Sequence, residues 1–141
     1  MAKHKIMKFL LVDKAEKTVE AIQFILGKIK DIEVIAAAKD YQAAIQLTTE
    51  RKPEIIIMDI NGHDSSFEKI LKQMIDAIPN VKIIALSLYS DSRYALRAIN
   101  AGASGYLLKD HAYAELAQAI RTIVSNKTYI SPGIAGILKD E

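Results

Sequence analysis

The sequence predicts an α/β fold, a doubly wound parallel sheet of five strands with five helices. Three observations carry that expectation. Short apolar runs alternate five times with apolar stripes at helical spacing, the pattern of strands joined by crossover helices. Ile55-Ile56-Ile57-Met58 is apolar at every position, as in a central parallel strand covered on both faces. The chain has 141 residues, which points to one domain with one core. A chain of this size buries roughly 68% of its unfolded surface, enough to be stable alone.

The elements follow in order. Phe9 to Val12 is an apolar run that ends at Asp13. Ile22, Ile25, Leu26 and Ile29 then fall at i, i+3, i+4 and i+7, one face of a helix. Ile32 to Ala36 is a strand with one polar interruption at Glu33, suited to a sheet edge. Asp40 is placed to cap the next helix, whose stripe is Tyr41, Ala44, Ile45 and Thr48, bounded by Pro53. The all-apolar strand ends at Asp59. Ser65 and Glu68 have the spacing of a capping box before the stripe Phe67, Ile70, Leu71, Met74 and Ile78. Val81 to Leu86 is a strand that ends at Ser87. A helix over about 91–100 shows a narrow apolar face of Ala95, Leu96 and Ile99, and Gly102 suits a left-handed C-terminal residue. Gly105 to Leu108 is the fifth strand and ends at Lys109. Leu116, Ala119, Ile120 and Ile123 form the last stripe. Residues 128–141 read as a tail, with Ser131-Pro132-Gly133 as a turn or linker signature. Right-handed crossovers leave few topologies. The flavodoxin-like order 2-1-3-4-5 places the wholly apolar first and third strands inside and the interrupted second at an edge.

Composition narrows the function. There is no cysteine, so disulfides, thiolate metal sites and cysteine catalysis are excluded. No apolar run is long enough to span a bilayer, and the basic start at Lys3-His4-Lys5 lacks a signal-peptide core. The expected location is therefore cytoplasmic, with no membrane partner. A formal net charge of +2 with scattered basic residues does not point to direct nucleic-acid binding.

In an open α/β sheet the site lies beyond the C-terminal strand ends. Those ends carry Asp13, Asp59, Ser87 and Lys109. Each alone could be an ordinary loop residue; two carboxylates, a hydroxyl and an ammonium at one edge form a candidate site.

The segments Phe9 to Asp13, Glu54 to Asp59, Ile83 to Ser87 and Ala101-Gly102-Ala103-Ser104-Gly105-Tyr106-Leu107-Leu108-Lys109-Asp110 resemble the receiver domain of two-component response regulators. The resemblance spans about residues 6–126. The continuation Thr128 to Pro132 is similar to the branch whose receivers precede a LuxR-type helix-turn-helix. The expected organisation is a receiver over 1–126, then a tail over 127–141 that begins a linker to an output domain absent from this chain. The resemblance implies a phosphoacceptor at Asp59 and a metal set of Asp13, Asp59 and the Asn61 backbone carbonyl, holding Mg²⁺. It implies a phosphoryl-pairing lysine at Lys109, a switch hydroxyl at Ser87 and a rotamer switch at Tyr106. Any catalysis would act on the chain's own phosphoryl group, so the chain is not read as an enzyme. The implied partners are a sensor histidine kinase and a second copy, bound through helix 4, strand 5 and helix 5 or through helices 1 and 5. DNA would be reached only through an output domain.

Three departures stand out. The family pattern has a second acid after Asp13, usually a metal ligand; here that residue is Lys14. The implied pocket charge rises from −2 to zero over Asp13, Asp59, Lys14 and Lys109, so Mg²⁺ binding should be weak or absent. Lys14 either turns into solvent or places its ammonium beside Asp59; attraction in a partly dry pocket favours the second. After Asp59 the loop has Gly62 but no proline, and His63 reads as an exposed loop residue. Ala112-Tyr113 at the fifth helix entry lacks a capping side chain, so that helix should start raggedly or use Asp110.

Two functions therefore compete. One is a phosphorylation-dependent switch that regulates transcription. The other is an atypical receiver that signals by protein interaction without Mg²⁺-dependent phosphorylation, with Tyr94, Ala98 and the outer face of helix 5 as candidate contacts. A flavin-type binder is excluded by the glycine-free loop from Asp13 to Thr18.

Overall fold

The computed structural model describes residues 5–61 and 67–139. Ser65 of the expected capping box, Gly62 and His63 lie outside the described residues. The chain runs β1 (Met7–Val12), α1 (Glu16–Leu26), β2 (Ile32–Ala38), α2 (Tyr41–Arg51), β3 (Ile55–Asp59) and α3 (Phe67–Ala77). It continues with β4 (Lys82–Ser87), α4 (Ser92–Asn100), β5 (Gly105–Leu108), a 3₁₀ turn (Lys109–His111), α5 (Ala112–Val124), β6 (Tyr129–Ile130) and α6 (Pro132–Lys139).

The strands form one parallel sheet in the order β2-β1-β3-β4-β5-β6. The expected order of the first five strands is correct; the expected total is not. Alternate side chains of the inner strands face opposite ways. Leu10, Val12, Ile56, Met58, Ile83, Ala85 and Tyr106 pack under α3 and α4 with Phe67, Leu71, Met74, Ala95 and Ala98. Phe9, Leu11, Ile55, Ile57, Ile84, Leu86 and Leu107 pack under α1 and α5 with Ile22, Leu26, Leu116, Ala119, Ile120 and Ile123. Every residue of β3 is buried, while β2 is half-exposed along most of its length, as an edge strand should be.

The main correction lies at the C-terminus. Among the described residues five strands and five helices become six of each, because residues 129–139 fold onto the sheet instead of trailing away. Tyr129 and Ile130 pair in parallel with Gly105 and Tyr106. The Ser131 amide donates to the Tyr106 carbonyl (3.0 Å), and the Ser131 hydroxyl accepts from the Leu108 amide (3.2 Å). Pro132 opens α6, a position where its missing N–H costs nothing and its fixed φ helps. Ile134 is 1% exposed and joins the core beside Tyr106 and Ala98. This segment covers the β5 edge, which would otherwise offer an unpaired backbone.

Smaller differences concern helix faces and caps. Leu96 is 40% exposed, and Ala98 takes the inward place on α4 beside Ala95, so Ala98 is no outer contact. Tyr94 remains half-buried. The Asp40 carboxylate accepts from the Ala43 amide (2.8 Å) as the N-cap of α2. The α5 entry has no side-chain cap: a 3₁₀ turn containing Asp110 leads into it, with His111 at the cap position. Gly102 has φ +110°, and a β-carbon there would also collide with Ile75. Among the described residues no helix is long and apolar enough to cross a membrane.

Candidate functional site

The C-terminal ends of β1, β3, β4 and β5 converge because a parallel register keeps them level. Val12 pairs with Met58, Asp59 with Leu86, and Ser87 with Leu108. Asp13, Asp59, Ser87 and Lys109 therefore stand at one edge, with Asp13, Asp59 and Ser87 buried.

Lys109 bridges the two acids. Its ammonium lies 2.9 Å from Asp13 Oδ2 and 3.3 Å from Asp59 Oδ1. The contact to Asp13 Oδ2 is ionic without an aligned hydrogen bond, and that buried oxygen has no hydrogen-bond partner. Asp13 Oδ1 accepts from the Ala15 amide (2.9 Å), which fixes the other oxygen. Burial of two carboxylates under one ammonium is costly unless each has such partners. Lys14 is exposed, and the ammonium that spans both acids belongs to Lys109.

Asn61 does more than the sequence suggested. Its amide donates to Asp59 Oδ1 (2.9 Å). Its carboxamide oxygen accepts from the Leu88 amide (2.6 Å), and its Nδ2 donates to Ser87 Oγ (3.3 Å). One side chain thus ties the loop after β3 to the loop after β4. Ser87 Oγ also accepts from the Tyr89 amide (3.0 Å). The Tyr106 phenol points inward, fully buried, and donates to the Tyr89 carbonyl (2.7 Å). Burial holds its pKa above the ordinary tyrosine value, and the Ser87 hydroxyl opposes that rise.

Tyr41 was absent from the sequence reading of the site. As the first residue of α2, its phenol donates to the Asp59 carbonyl (2.8 Å). No local signal marks it, because the partner lies 18 residues along the chain. Glu68 takes a two-pronged contact from Arg97 (2.8 and 3.0 Å), which links α3 to α4 and holds the Glu68 carboxyl below its ordinary pKa.

The carboxylate oxygens at the edge are those of Asp13 and Asp59. Asp13 Oδ2, which accepts no hydrogen bond and faces the Lys109 ammonium, is an oxygen of the kind a hard cation prefers. Among the described residues no group of three or more acidic or histidine side chains could hold a metal. The edge thus brings an acid pair, an ammonium and a hydroxyl together.

Against known proteins, residues 9–121 match the model described as the response regulator receiver domain. The chain belongs to the response regulator receiver family. This receiver is 31% identical over 136 residues to oxygen regulatory protein NreC of Staphylococcus haemolyticus, covering 96% of this chain and 63% of that protein. It is 29% identical to transcriptional regulatory protein DegU of Brevibacillus brevis, covering 91% of this chain and 54% of that one. The receiver thus spans between about half and two thirds of these curated relatives. A LuxR-family two-component response regulator from Aurantimonas superposes with a TM-score of 0.87 at 29% identity, covering 94% of each chain. The isolated receiver of RcsB from Salmonella enterica, 19% identical with a TM-score of 0.84 over 94% of this chain, shares the fold.

Proposed function

We propose that this receiver accepts a phosphoryl group on Asp59 and converts it into a change at the α4–β5–α5 face that regulates transcription. The observation that carries this reading is the Lys109 ammonium held 2.9 Å from Asp13 and 3.3 Å from Asp59 at the sheet edge. An Asp59 oxygen attacks phosphorus and forms the new O–P bond. The P–N bond of a kinase phosphohistidine, or the P–O bond of a small phosphodonor, breaks with its electron pair on the donor. Lys109 then offsets charge on the phosphoryl oxygens. To bond a phosphoryl oxygen, the Ser87 hydroxyl leaves Asn61 and Tyr89, and the Tyr89 carbonyl that holds the Tyr106 phenol shifts with it.

Mg²⁺, when bound, draws charge off the phosphoryl group. Asp13, Asp59 and the Asn61 carbonyl would hold it, with Lys14 in place of a third acid. Affinity is therefore low and the rate rises only at high Mg²⁺. The partners consistent with this chemistry are a sensor histidine kinase and a second copy of the receiver, through α4–β5–α5 or α1–α5. The curated relatives are named as regulators, which supports DNA contact through an output domain.

Lys14 also favours a second reading, a receiver that signals by protein interaction without Mg²⁺-dependent phosphorylation. A Mg²⁺ titration of acetyl-phosphate labelling separates the two. The first reading expects label on the wild type at high Mg²⁺, and half-saturation at least tenfold lower in Lys14→Asp. The second expects no label on the wild type at any Mg²⁺ concentration.

A further inference from the structure

The geometry points to Tyr41 as a positioning residue for the phosphoryl-accepting carboxylate, an inference that rests on the reading of Asp59 given above. Asp59 is the last residue of β3, and the β1–β3 ladder ends one residue earlier, at Val12 and Met58. Its peptide therefore sits where strand pairing runs out. On the β4 side the Ile60 amide still donates to the Leu86 carbonyl (3.0 Å). On the other side the Asp59 carbonyl takes its hydrogen bond from the Tyr41 phenol (2.8 Å).

Tyr41 is well placed to hold that peptide still. Asp40 caps α2 immediately before it, through the Ala43 amide at 2.8 Å, so the start of the helix is fixed. The Tyr41 ring packs against the core cluster that contains Val12, Met58 and Ala38. The phenol thus reaches the strand end from a rigid base. The direction of the Asp59 side chain follows from the orientation of its own peptide. The carboxylate must keep one oxygen on the Asn61 amide and near Lys109 while the attack proceeds. Small misplacements of a reacting group lower rates far more than they lower stability. Tyr41 acts on the carboxylate through the Asp59 main-chain carbonyl that its phenol holds.

The test compares wild type, Tyr41→Phe and the exposed-site control Tyr113→Phe. Phosphorylation is followed with acetyl phosphate across donor and Mg²⁺ concentrations, and folding by thermal unfolding. Tyr41→Phe is expected to lower the maximum rate about tenfold while the half-saturating donor concentration stays unchanged. Tyr113→Phe should match wild type. A Tyr41→Phe protein at the wild-type maximum rate overturns the assignment, as does a loss fully accounted for by its unfolded fraction. A wild type that takes no phosphoryl group would instead defeat the functional reading. Positioning is then decided by NMR of the Asp59 carboxyl carbon and the Ile60 amide. Shifts at both in Tyr41→Phe, absent in Tyr113→Phe, support it, and unchanged signals overturn it.

Discussion

Strands β1 and β3 end in two buried carboxylates under the Lys109 ammonium that follows β5, whereas the Ser87 hydroxyl at the end of β4 and the Tyr106 phenol within β5 are joined through Tyr89 by neutral hydrogen bonds. The first half of the edge is an ionic device. Its geometry depends on a charge balance that one substitution can upset. The second half is a backbone device, in which Tyr106 and Ser87 meet at the main chain of Tyr89, and Asn61 connects the two halves. Behind the neutral half, β6 and α6 are laced to β5 through Ser131. Any displacement of β5 would therefore reach the C-terminal segment, while charge changes at Asp13 and Asp59 stay local until Asn61 or Lys109 passes them on.

The largest expected effect breaks the ionic half. Lys109→Met leaves two buried carboxylates without their shared cation. Stability should fall by about 3 kcal/mol in urea unfolding. Asp59→Asn in the same background should recover part of that loss, because one of the two like charges is gone. Failure of the second substitution to recover any stability would show that Lys109 acts by packing and not by charge.

The neutral half is broken most cleanly from behind. Ile134 is 1% exposed beside Tyr106, so Ile134→Ala should cost about 2 kcal/mol. Amide exchange should quicken at Tyr106 and Leu108 and stay unchanged at Asp13. Equal loss of protection at both strand ends would erase the distinction between the halves.

The smallest effect concerns Tyr129. Burial, with the Glu115 carboxylate as hydrogen-bond partner (2.8 Å), pushes its phenol up to about 12. The folded value lies above the unfolded one, near the ordinary 10. The associated stability is therefore fully present below about pH 10 and disappears as pH rises towards 12. Tyr129→Phe should remove this part of the pH dependence and cost about 1 kcal/mol at neutral pH. An unchanged alkaline profile in the variant would place the β6 phenol in water.

The strand ends were legible because apolar runs stop abruptly at polar residues. Asp13, Asp59, Ser87 and Lys109 each end such a run, and a parallel register brings them level. The C-terminal segment was not legible, because β6 has only two residues and Pro132 reads as a breaker when it opens a helix. Nor was Ala98 legible as an inward residue. On a small-residue helix such as α4 the buried face carries alanines, while the larger Leu96 lies on the exposed side. Long-range side-chain bonds were also hidden. Tyr41 to Asp59 and Asn61 to Ser87 depend on which loops the fold brings together, and no local spacing encodes that. Lys14 shows the reverse case: the sequence flags the missing acid, but only the fold shows Lys109 spanning both carboxylates.

The central claim, that Asp59 receives a phosphoryl group, is tested most directly by intact mass after incubation with acetyl phosphate and high Mg²⁺, followed by mapping of the modified residue. The account predicts a gain of about 80 Da, the mass of HPO₃, located on Asp59 and absent from Asp59→Asn. A wild-type chain that gains no mass under saturating donor and metal, or gains it at another residue, would contradict it.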